Sequence, residues 1–366
     1  MKICMIADAT SIHSLRWANY FVSQGDEVHI ITYESPRKEV PNIIFHVVKS
    51  RFGNLYLDFI PRQLKISSII DEIKPDILHA HFISKFGFHA AFIKHKPRIM
   101  SAWGSDILVL PNTSKFIKFF TKLSLKKADV IYAASHNLHD KIISEYNIPE
   151  YKVKYVPIGV DIDLFHPEEK KSETITILSN RNLMPVYNIE TFINSISYVV
   201  YRHPEVRFII AGSGILEDSL KEKVITKKLS EYVTFVGNIE NIDMPKLLNE
   251  CDIYVSTSLS DGTPISMMEA MACAKPCIIS NVGGTSEYIE NGVNGFLFTP
   301  KNYVELAEKI KYLIENPSIR KEFGEKALIT IRENGDFNKL MKNMRKNYHE
   351  ADLPQKLKGT QLYSTM

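Results

Sequence analysis

Leu259-Ser-Asp-Gly-Thr-Pro-Ile-Ser-Met-Met-Glu-Ala-Met-Ala-Cys-Ala-Lys-Pro276 decides how the rest of the chain is read. The run before it, Asp252 to Ser258, has the length and apolar character of a buried strand. It passes into a short polar loop holding Asp261 and Gly262, after which Thr263 and Pro264 open a helix. Thr263 suits the N-cap, and Pro264 suits the first helical position, where a missing N–H is harmless. The N-terminus of a helix presents free N–H groups and a partial positive charge, a setting for phosphate or another anion. Yet a carboxylate stands on each side, Asp261 just before the helix and Glu269 about a turn and a half inside it. Acids beside an anion site make sense when the ligand also carries hydroxyl groups. Phosphate and hydroxyls together describe a nucleotide-sugar.

The bulk composition is compatible with a protein that binds such a ligand. At 366 residues, 45% hydrophobic and 24% charged, the chain suits a soluble protein with two full cores. Its four cysteines, Cys4, Cys251, Cys273 and Cys277, lie in or beside apolar segments and do not form a zinc-binding pattern. They read as reduced thiols of a cytoplasmic protein. The N-terminus turns polar at once and reads as a strand, not a signal peptide. No apolar run approaches the ~20 residues of a membrane span. The net charge of +3 is uneven: residues 49–127 carry 14 basic and 5 acidic side chains, a local excess of +9.

Short apolar runs alternate with helix-length amphipathic segments, which predicts parallel α/β structure. Strands are expected near 2–7, 27–33, 43–48, 76–80, 98–101, 129–133 and 153–156, with helices such as 12–24, 60–73 and 136–146 between them. A linker rich in Pro, Gly and charge follows, from Val156 to Glu173. A second series has strands near 175–180, 206–211, 233–236, 252–257, 276–280 and 296–298. The expectation is α/β with two facing Rossmann-like domains, residues 1–166 and 167–335, then a C-terminal helix and loose tail over 336–366. Ligands of such sheets bind at the carboxyl ends of the strands, and pockets favour domain interfaces, so an interdomain cleft is expected.

Four segments of the second half carry a family resemblance: Ser179-Asn-Arg-Asn-Leu-Met-Pro185, Phe208-Ile-Ile-Ala-Gly-Ser-Gly214, Val233-Thr-Phe-Val-Gly237, and the opening stretch continued through Gly283-Gly284 to Asn291-Gly-Val-Asn-Gly-Phe-Leu297. In this order and spacing the chain resembles the group 1 (family 4) retaining glycosyltransferases of the GT-B fold, over roughly residues 1–335. The resemblance implies an Arg at a strand end that holds the nucleotide diphosphate, here Arg181, although the neighbouring Asn182 also competes for that place. A surface ion pair is the alternative for Arg181. The Lys that usually assists it is replaced by Tyr187. The family's acid pair, separated by seven residues, becomes Asp261 and Glu269. Glu269 is expected on the ribose hydroxyls, with a helix-face pair to Lys275 as the alternative. Asp261 is expected on the transferred sugar, with helix capping as the alternative. Gly262, Thr263, Pro264 and Ile265 offer close backbone approach to the diphosphate. Gly212 and Gly214 serve either a tight turn or the donor.

The first half departs further from the family. Asp76-Ile-Leu-His-Ala-His-Phe82 resembles one of the family's main strands and its polar end, which implies an acceptor-side place for His81. Ile99-Met-Ser-Ala-Trp-Gly-Ser-Asp106 matches the strand end where many members carry a His near the reacting sugar, and here that position is Trp103. Asp106 is expected either to orient an acceptor or sugar hydroxyl, as a catalytic group with Arg181 and Asp261, or to cap its loop. His13 and Arg16 open the first long helix as acceptor or diphosphate contacts, and a structural histidine is the alternative for His13.

Asp161-Ile162-Asp163 has the Asp-x-Asp form of a metal site, but it lies in the linker, so no metal and no cofactor beyond the donor are expected. Lys115, Lys118, Lys122 and Lys126 recur beside Phe116, Phe119, Phe120 and Leu123. This Lys115–Lys127 segment reads as an amphipathic helix for an anionic membrane surface, or as a solvated face over a packed stripe. The reading as a whole is a cytoplasmic or peripheral-membrane glycosyltransferase. Its expected acceptor is a sugar or a lipid-linked sugar, as in bacterial or archaeal surface polysaccharide, lipopolysaccharide or glycolipid synthesis. No nucleic acid partner is expected. A nucleotide-sugar epimerase of the same fold and a non-catalytic nucleotide-sugar binder are the rival readings.

Overall fold

A computed structural model describes residues 1–38, 40–53 and 55–352. Its strands lie where the apolar alternation placed them, with ends shifted by a residue or two. In the first half these are β1 (Lys2–Ile6), β2 (Glu27–Thr32), β3 (Ile43–Val47), β4 (Ile77–His81), β5 (Arg98–Ala102), β6 (Val130–Ala133) and β7 (Val153–Tyr155). The second half holds β8 (Thr176–Ser179), β9 (Arg207–Ala211), β10 (Val233–Gly237), β11 (Ile253–Ser256), β12 (Cys277–Ser280) and β13 (Gly295–Phe298). They form two sheets, ordered β3-β2-β1-β4-β5-β6-β7 and β10-β9-β8-β11-β12-β13. Every strand pair is parallel.

The strands are apolar because parallel sheets are covered on both faces and cannot alternate with polar residues. Ile3, Cys4, Met5 and Ile6 of β1 are fully buried, as are Ile177 and Leu178 of β8. In the second unit Ile177, Phe192, Phe208, Ile253, Ile278 and Leu306 belong to one continuous core. All four cysteines are free and buried. Burial pushes the thiols of Cys4, Cys251 and Cys273 up to about 12, which leaves them unreactive.

The chain divides into two compact units, Ile158–Asn338 and a first unit of Met1–Pro157 completed by the segment from Lys339 onward. Both expected boundaries move. The linker residues join the second unit because Val160 N–H donates to the Gly335 carbonyl (2.8 Å) and Phe337 N–H to the Val160 carbonyl (2.9 Å). Phe165 is buried, and Glu168 N–H donates to Asn249 Oδ1 at 3.0 Å. The helix Phe337–Asp352 returns to the first unit, where Tyr348 stacks on Phe21 (centroids 4.9 Å apart) and its hydroxyl bonds His79 Nδ1. Arg345 on the same helix reaches Asp26 at 3.2 Å. The loose tail expected after Asp352 lies outside the described residues.

In each sheet the strand order reverses at one point, between β1 and β4 in the first and between β8 and β11 in the second. Loops leaving adjacent strands there diverge to opposite faces and open a crevice at the carboxyl ends. His13 and Arg16 follow β1, His81 ends β4, Arg181 follows β8, and Asp261 follows β11. The fold therefore brings these expected site residues to strands beside the two switch points, while Trp103 and Asp106 follow β5 and Gly212 and Gly214 follow β9.

Candidate active site

Arg181 leaves the end of β8 and turns its guanidinium into a buried polar nest. Nη1 donates to Ser266 Oγ at 2.7 Å and Nη2 is hydrogen-bonded to the Asp261 carboxylate. Ser266 Oγ in turn accepts the Tyr254 hydroxyl at 2.9 Å. The guanidinium carbon lies 4.3 Å from the centroid of the Tyr187 ring. The Arg181 side chain is 10% exposed and that of Asp261 14%. Burial opposes the charge on Arg181, but Asp261, with Tyr254, Tyr187 and Glu269, holds its pKa above the ordinary arginine value. Tyr187, which replaces a Lys of the family pattern, thus supplies a π face to the arginine and not a second cation. Of the two neighbours Arg181 and Asn182, it is Arg181 that makes these contacts.

The helix after β11 runs from Ile265 to Ala272, one residue later than expected. Pro264 itself sits at the cap in an extended conformation, and its carbonyl accepts the N–H groups of Met267 (3.0 Å) and Met268 (3.2 Å). Thr263 is therefore not the cap, and Asp261 is drawn to Arg181. The first N–H groups of the helix have no intrahelical acceptor and remain suited to an anion. Glu269 is buried on this helix and accepts Asn241 Nδ2 at 3.4 Å. Lys275 donates to the Asn249 carbonyl at 3.0 Å. Asn180 Oδ1 and Arg181 Nε are buried with no hydrogen-bond partner, an unusual condition for polar atoms outside a ligand site.

Three glycines hold these loops together. A Cβ on Gly212 would lie 2.6 Å from the Arg181 carbonyl oxygen and one on Gly214 2.3 Å from that of Leu183. Both glycines therefore serve close packing of the β9 turn on the β8 turn. Gly283, at φ +55°, leaves room for the Asp261 carbonyl, where a Cβ would lie only 1.6 Å away. Gly284 N–H donates to the Gly262 carbonyl at 2.9 Å. The turn after β12 thus braces the backbone of the acidic loop.

In the first unit, His13, His81 and Trp103 converge. Trp103 lies 5.0 Å from His81 and 6.1 Å from His13 between ring centroids, and Trp17 lies 5.0 Å from His81. His13 Nδ1, both ring nitrogens of His81 and Trp103 Nε1 are buried without hydrogen-bond partners. Behind them His79 is satisfied, by Tyr348 on one nitrogen and Ser101 Oγ (2.7 Å) on the other. Burial, aided by the charge of Arg16, lowers the His13 pKa to about 4; burial alone lowers that of His81 to about 3.

Of the two roles expected for Asp106, orienting a hydroxyl as a catalytic group or capping its loop, the structure shows the capping contacts. It is fully buried, and its carboxylate accepts N–H groups from Ile83 (2.8 Å), Trp103 (3.0 Å) and Gly104 (2.9 Å). It fastens the end of β5, and so Trp103, to the turn after β4. Burial pushes its pKa up to about 6 against those bonds. Asp161 and Asp163 are likewise structural. Asp161 Oδ1 accepts the N–H groups of Asp163 (3.1 Å) and Leu164 (3.2 Å), and Asp163 accepts Asn338 Nδ2 (3.3 Å).

Sequence reasoning missed Ser266, Tyr254 and Asn180. Ser266 had a signal, since it lies on the first turn of the Ile265–Ala272 helix. Tyr254 lies within β11 and Asn180 directly follows β8, and nothing local in the sequence marks either as a residue of this site.

These histidines make stability depend on pH. His13, His79, His81 and His89 are held neutral in the folded first unit, with pKa values of about 4, well below normal, about 3 and about 4. Unfolded, each binds a proton near pH 6.5, so the unfolded chain binds more protons below that pH. Their contribution is complete above pH 6.5 and is lost as pH falls toward 4. Asp106 acts oppositely between its unfolded value and about 6, offsetting one proton. Each net proton amounts to about 1.4 kcal/mol per pH unit. Urea unfolding is expected to show stability falling from pH 6.5 to 5, with His81→Gln reducing that slope by about one proton.

The family described as Glycosyl transferases group 1 matches residues 161–329, and Glycosyl transferase 4-like matches residues 2–135. The chain is 24% identical over 354 residues to N-acetyl-alpha-D-glucosaminyl L-malate synthase of Bacillus anthracis, covering 90% of each protein. It is 25% identical to the capsular polysaccharide biosynthesis glycosyltransferase CapM of Staphylococcus aureus, covering 81% of this chain and 83% of that protein. Anabaena HepE, solved in complex with UDP, superposes with a TM-score of 0.81 at 20% identity, covering 96% of this chain and 100% of that one. That likeness shows the GT-B fold. With both halves matched, the chain belongs to the group 1 glycosyltransferases and is a nucleotide-sugar-dependent glycosyltransferase.

Proposed function

We propose that this enzyme moves a sugar from a nucleotide-diphosphate donor to an acceptor hydroxyl with retention of anomeric configuration, in the synthesis of a surface polysaccharide, lipopolysaccharide or glycolipid. The observation that carries the reading is the buried Arg181 guanidinium beside the N-terminus of the Ile265–Ala272 helix, with Nε left unpartnered. Arg181 and the loop N–H groups from Gly262 to Ile265 bind the diphosphate, Glu269 takes the ribose hydroxyls, and Asp261 takes the transferred sugar. His13, Arg16, His81 and Trp103 serve the acceptor side. The unpartnered ring nitrogens of that cluster are donors and acceptors of the kind a hydroxyl-rich ligand needs.

In the reaction, the bond between the anomeric carbon and the diphosphate oxygen breaks and its electron pair goes to the leaving phosphate. The acceptor oxygen bonds to the same face of the anomeric carbon, and its proton passes to the leaving phosphate oxygen. Arg181 and the helix N-terminus stabilise the charge that grows on the phosphate, so no metal is required. HepE is solved with UDP-glucose as well as UDP, which makes UDP-sugars the first donors to test. A donor that raises the melting temperature should yield a glycosylated acceptor with the anomeric configuration of the donor. Arg181→Ala should lower turnover by about a hundredfold or more. Near-wild-type transfer by that variant contradicts the assignment.

The proposed acceptor side has a membrane counterpart. Among the described residues no helix is long and apolar enough to cross a membrane. The helix Lys115–Lys127 turns Thr121, Ser124 and Leu125 inward, and exposes Phe116 (37%) and Phe119 (63%) among its lysines. Phe120, expected on the lipid face, is half-buried, within 5.7 Å of Phe59 and 6.3 Å of Phe92 between ring centroids. Through those rings the face continues onto the helix Leu55–Ile73, where Leu57, Ile60 and Leu64 are 62–68% exposed. Apolar side chains ringed by lysine suit an anionic bilayer that carries a lipid-linked acceptor. Sedimentation should show binding at low salt to vesicles with anionic lipid and not to neutral ones. Combining Phe119→Ser with Leu64→Ser should weaken it about tenfold or more. Equal binding by wild type and variant contradicts this face.

A further inference from the structure

The contact between Arg181 and Asp261 brings together two residues that the proposed function assigns to different parts of the donor. A guanidinium engages a phosphate side-on through two parallel N–H groups, and Nε with Nη2 form one such fork. Here the fork is half filled. Asp261 holds Nη2, while Nε is buried with no partner. The third nitrogen, Nη1, is tied separately to Ser266 Oγ, which is itself held by the Tyr254 hydroxyl. The Tyr187 ring covers the guanidinium face at 4.3 Å. Arg181 is thus held in place by contacts other than Asp261.

The Asp261 backbone is also fixed. Gly283 packs directly against its carbonyl, and Gly284 N–H bonds the Gly262 carbonyl at 2.9 Å. The Asp261 side chain can therefore leave Arg181 by rotation about its own bonds, with the loop unmoved.

We propose that Asp261 is a placeholder counter-ion. Its carboxylate neutralises the buried guanidinium in the empty enzyme and is displaced when a diphosphate closes on the full Nε–Nη2 fork. The displacement frees the carboxylate to accept hydroxyl groups of the transferred sugar. Diphosphate binding and sugar recognition are thereby coupled through one side chain, and an empty site does not leave an unpaired charge buried. This inference rests on Arg181 being the diphosphate-binding residue.

The placeholder competes with the ligand, so its removal should tighten binding of a bare diphosphate. Calorimetric titration with inorganic pyrophosphate tests this on the full-length wild type, Asp261→Ala, Asp261→Asn and Arg181→Ala, each checked for folding by its melting curve. Asp261→Ala offers neither charge nor a new hydrogen-bond donor, so a gain with it reports loss of the competitor alone. Removing a carboxylate this close to the bound anion should strengthen pyrophosphate binding about tenfold or more in both Asp261 variants. Transfer to the acceptor should fall in the same variants, because the sugar contact is gone. Unchanged or weaker pyrophosphate binding in Asp261→Ala, with binding lost in Arg181→Ala, overturns the placeholder and leaves the diphosphate role of Arg181 standing. Wild-type binding in Arg181→Ala overturns both.

Discussion

A cation buried at the end of β8 is the constraint around which the second unit is arranged. Removing a guanidinium from water is unfavourable unless its hydrogen-bonding and charge requirements are met on site. Asp261 meets the charge, Ser266 and Tyr254 meet part of the hydrogen bonding, and Tyr187 supplies the π face. Each comes from a different stretch of chain, following β8, within β11, following β11, or on the next helix. The requirement accounts for the glycines at 212, 214 and 283, since a Cβ at any of them would collide with the backbone of these loops. Nε remains without a hydrogen-bond partner, a demand that the proposed diphosphate would meet.

The first unit solves the opposite problem. Its switch point gathers neutral aromatic and imidazole rings, and the depressed histidine pKa values follow from excluding water around them. Asp106 keeps the Trp103 loop in place through three backbone N–H groups, a structural task that needs a buried carboxylate. Tyr348 closes the back of the cluster from a helix 269 residues away from His79 in sequence. One unit thus buries a paired cation, and the other buries a cluster of neutral rings with ring nitrogens left without hydrogen-bond partners.

Much of this was legible in the chain. Parallel strands must be apolar on both faces, so their positions followed from short buried runs, and the strand ends carried Arg181, Asp261, His81 and Trp103 with them. The return of the C-terminal helix was not legible, because nothing local marks Tyr348 as the partner of Phe21 and His79. The helix start was misplaced by one residue, since Thr-Pro fits both a cap followed by a first turn and a loop ending at the cap. Asp106 kept two readings until the fold placed its carboxylate against the N–H groups of residues 83, 103 and 104. Tyr187 looked like a lost charge, and only the geometry gave it a role beside Arg181.

The most direct test of the account is a crystal structure of the enzyme with a nucleoside diphosphate that raises its melting temperature. The account predicts phosphate oxygens within hydrogen-bond distance of Arg181 Nε and Nη2, Glu269 on the ribose hydroxyls, and Asp261 turned away from the guanidinium. A diphosphate bound elsewhere, with Arg181 still paired to Asp261, would contradict it.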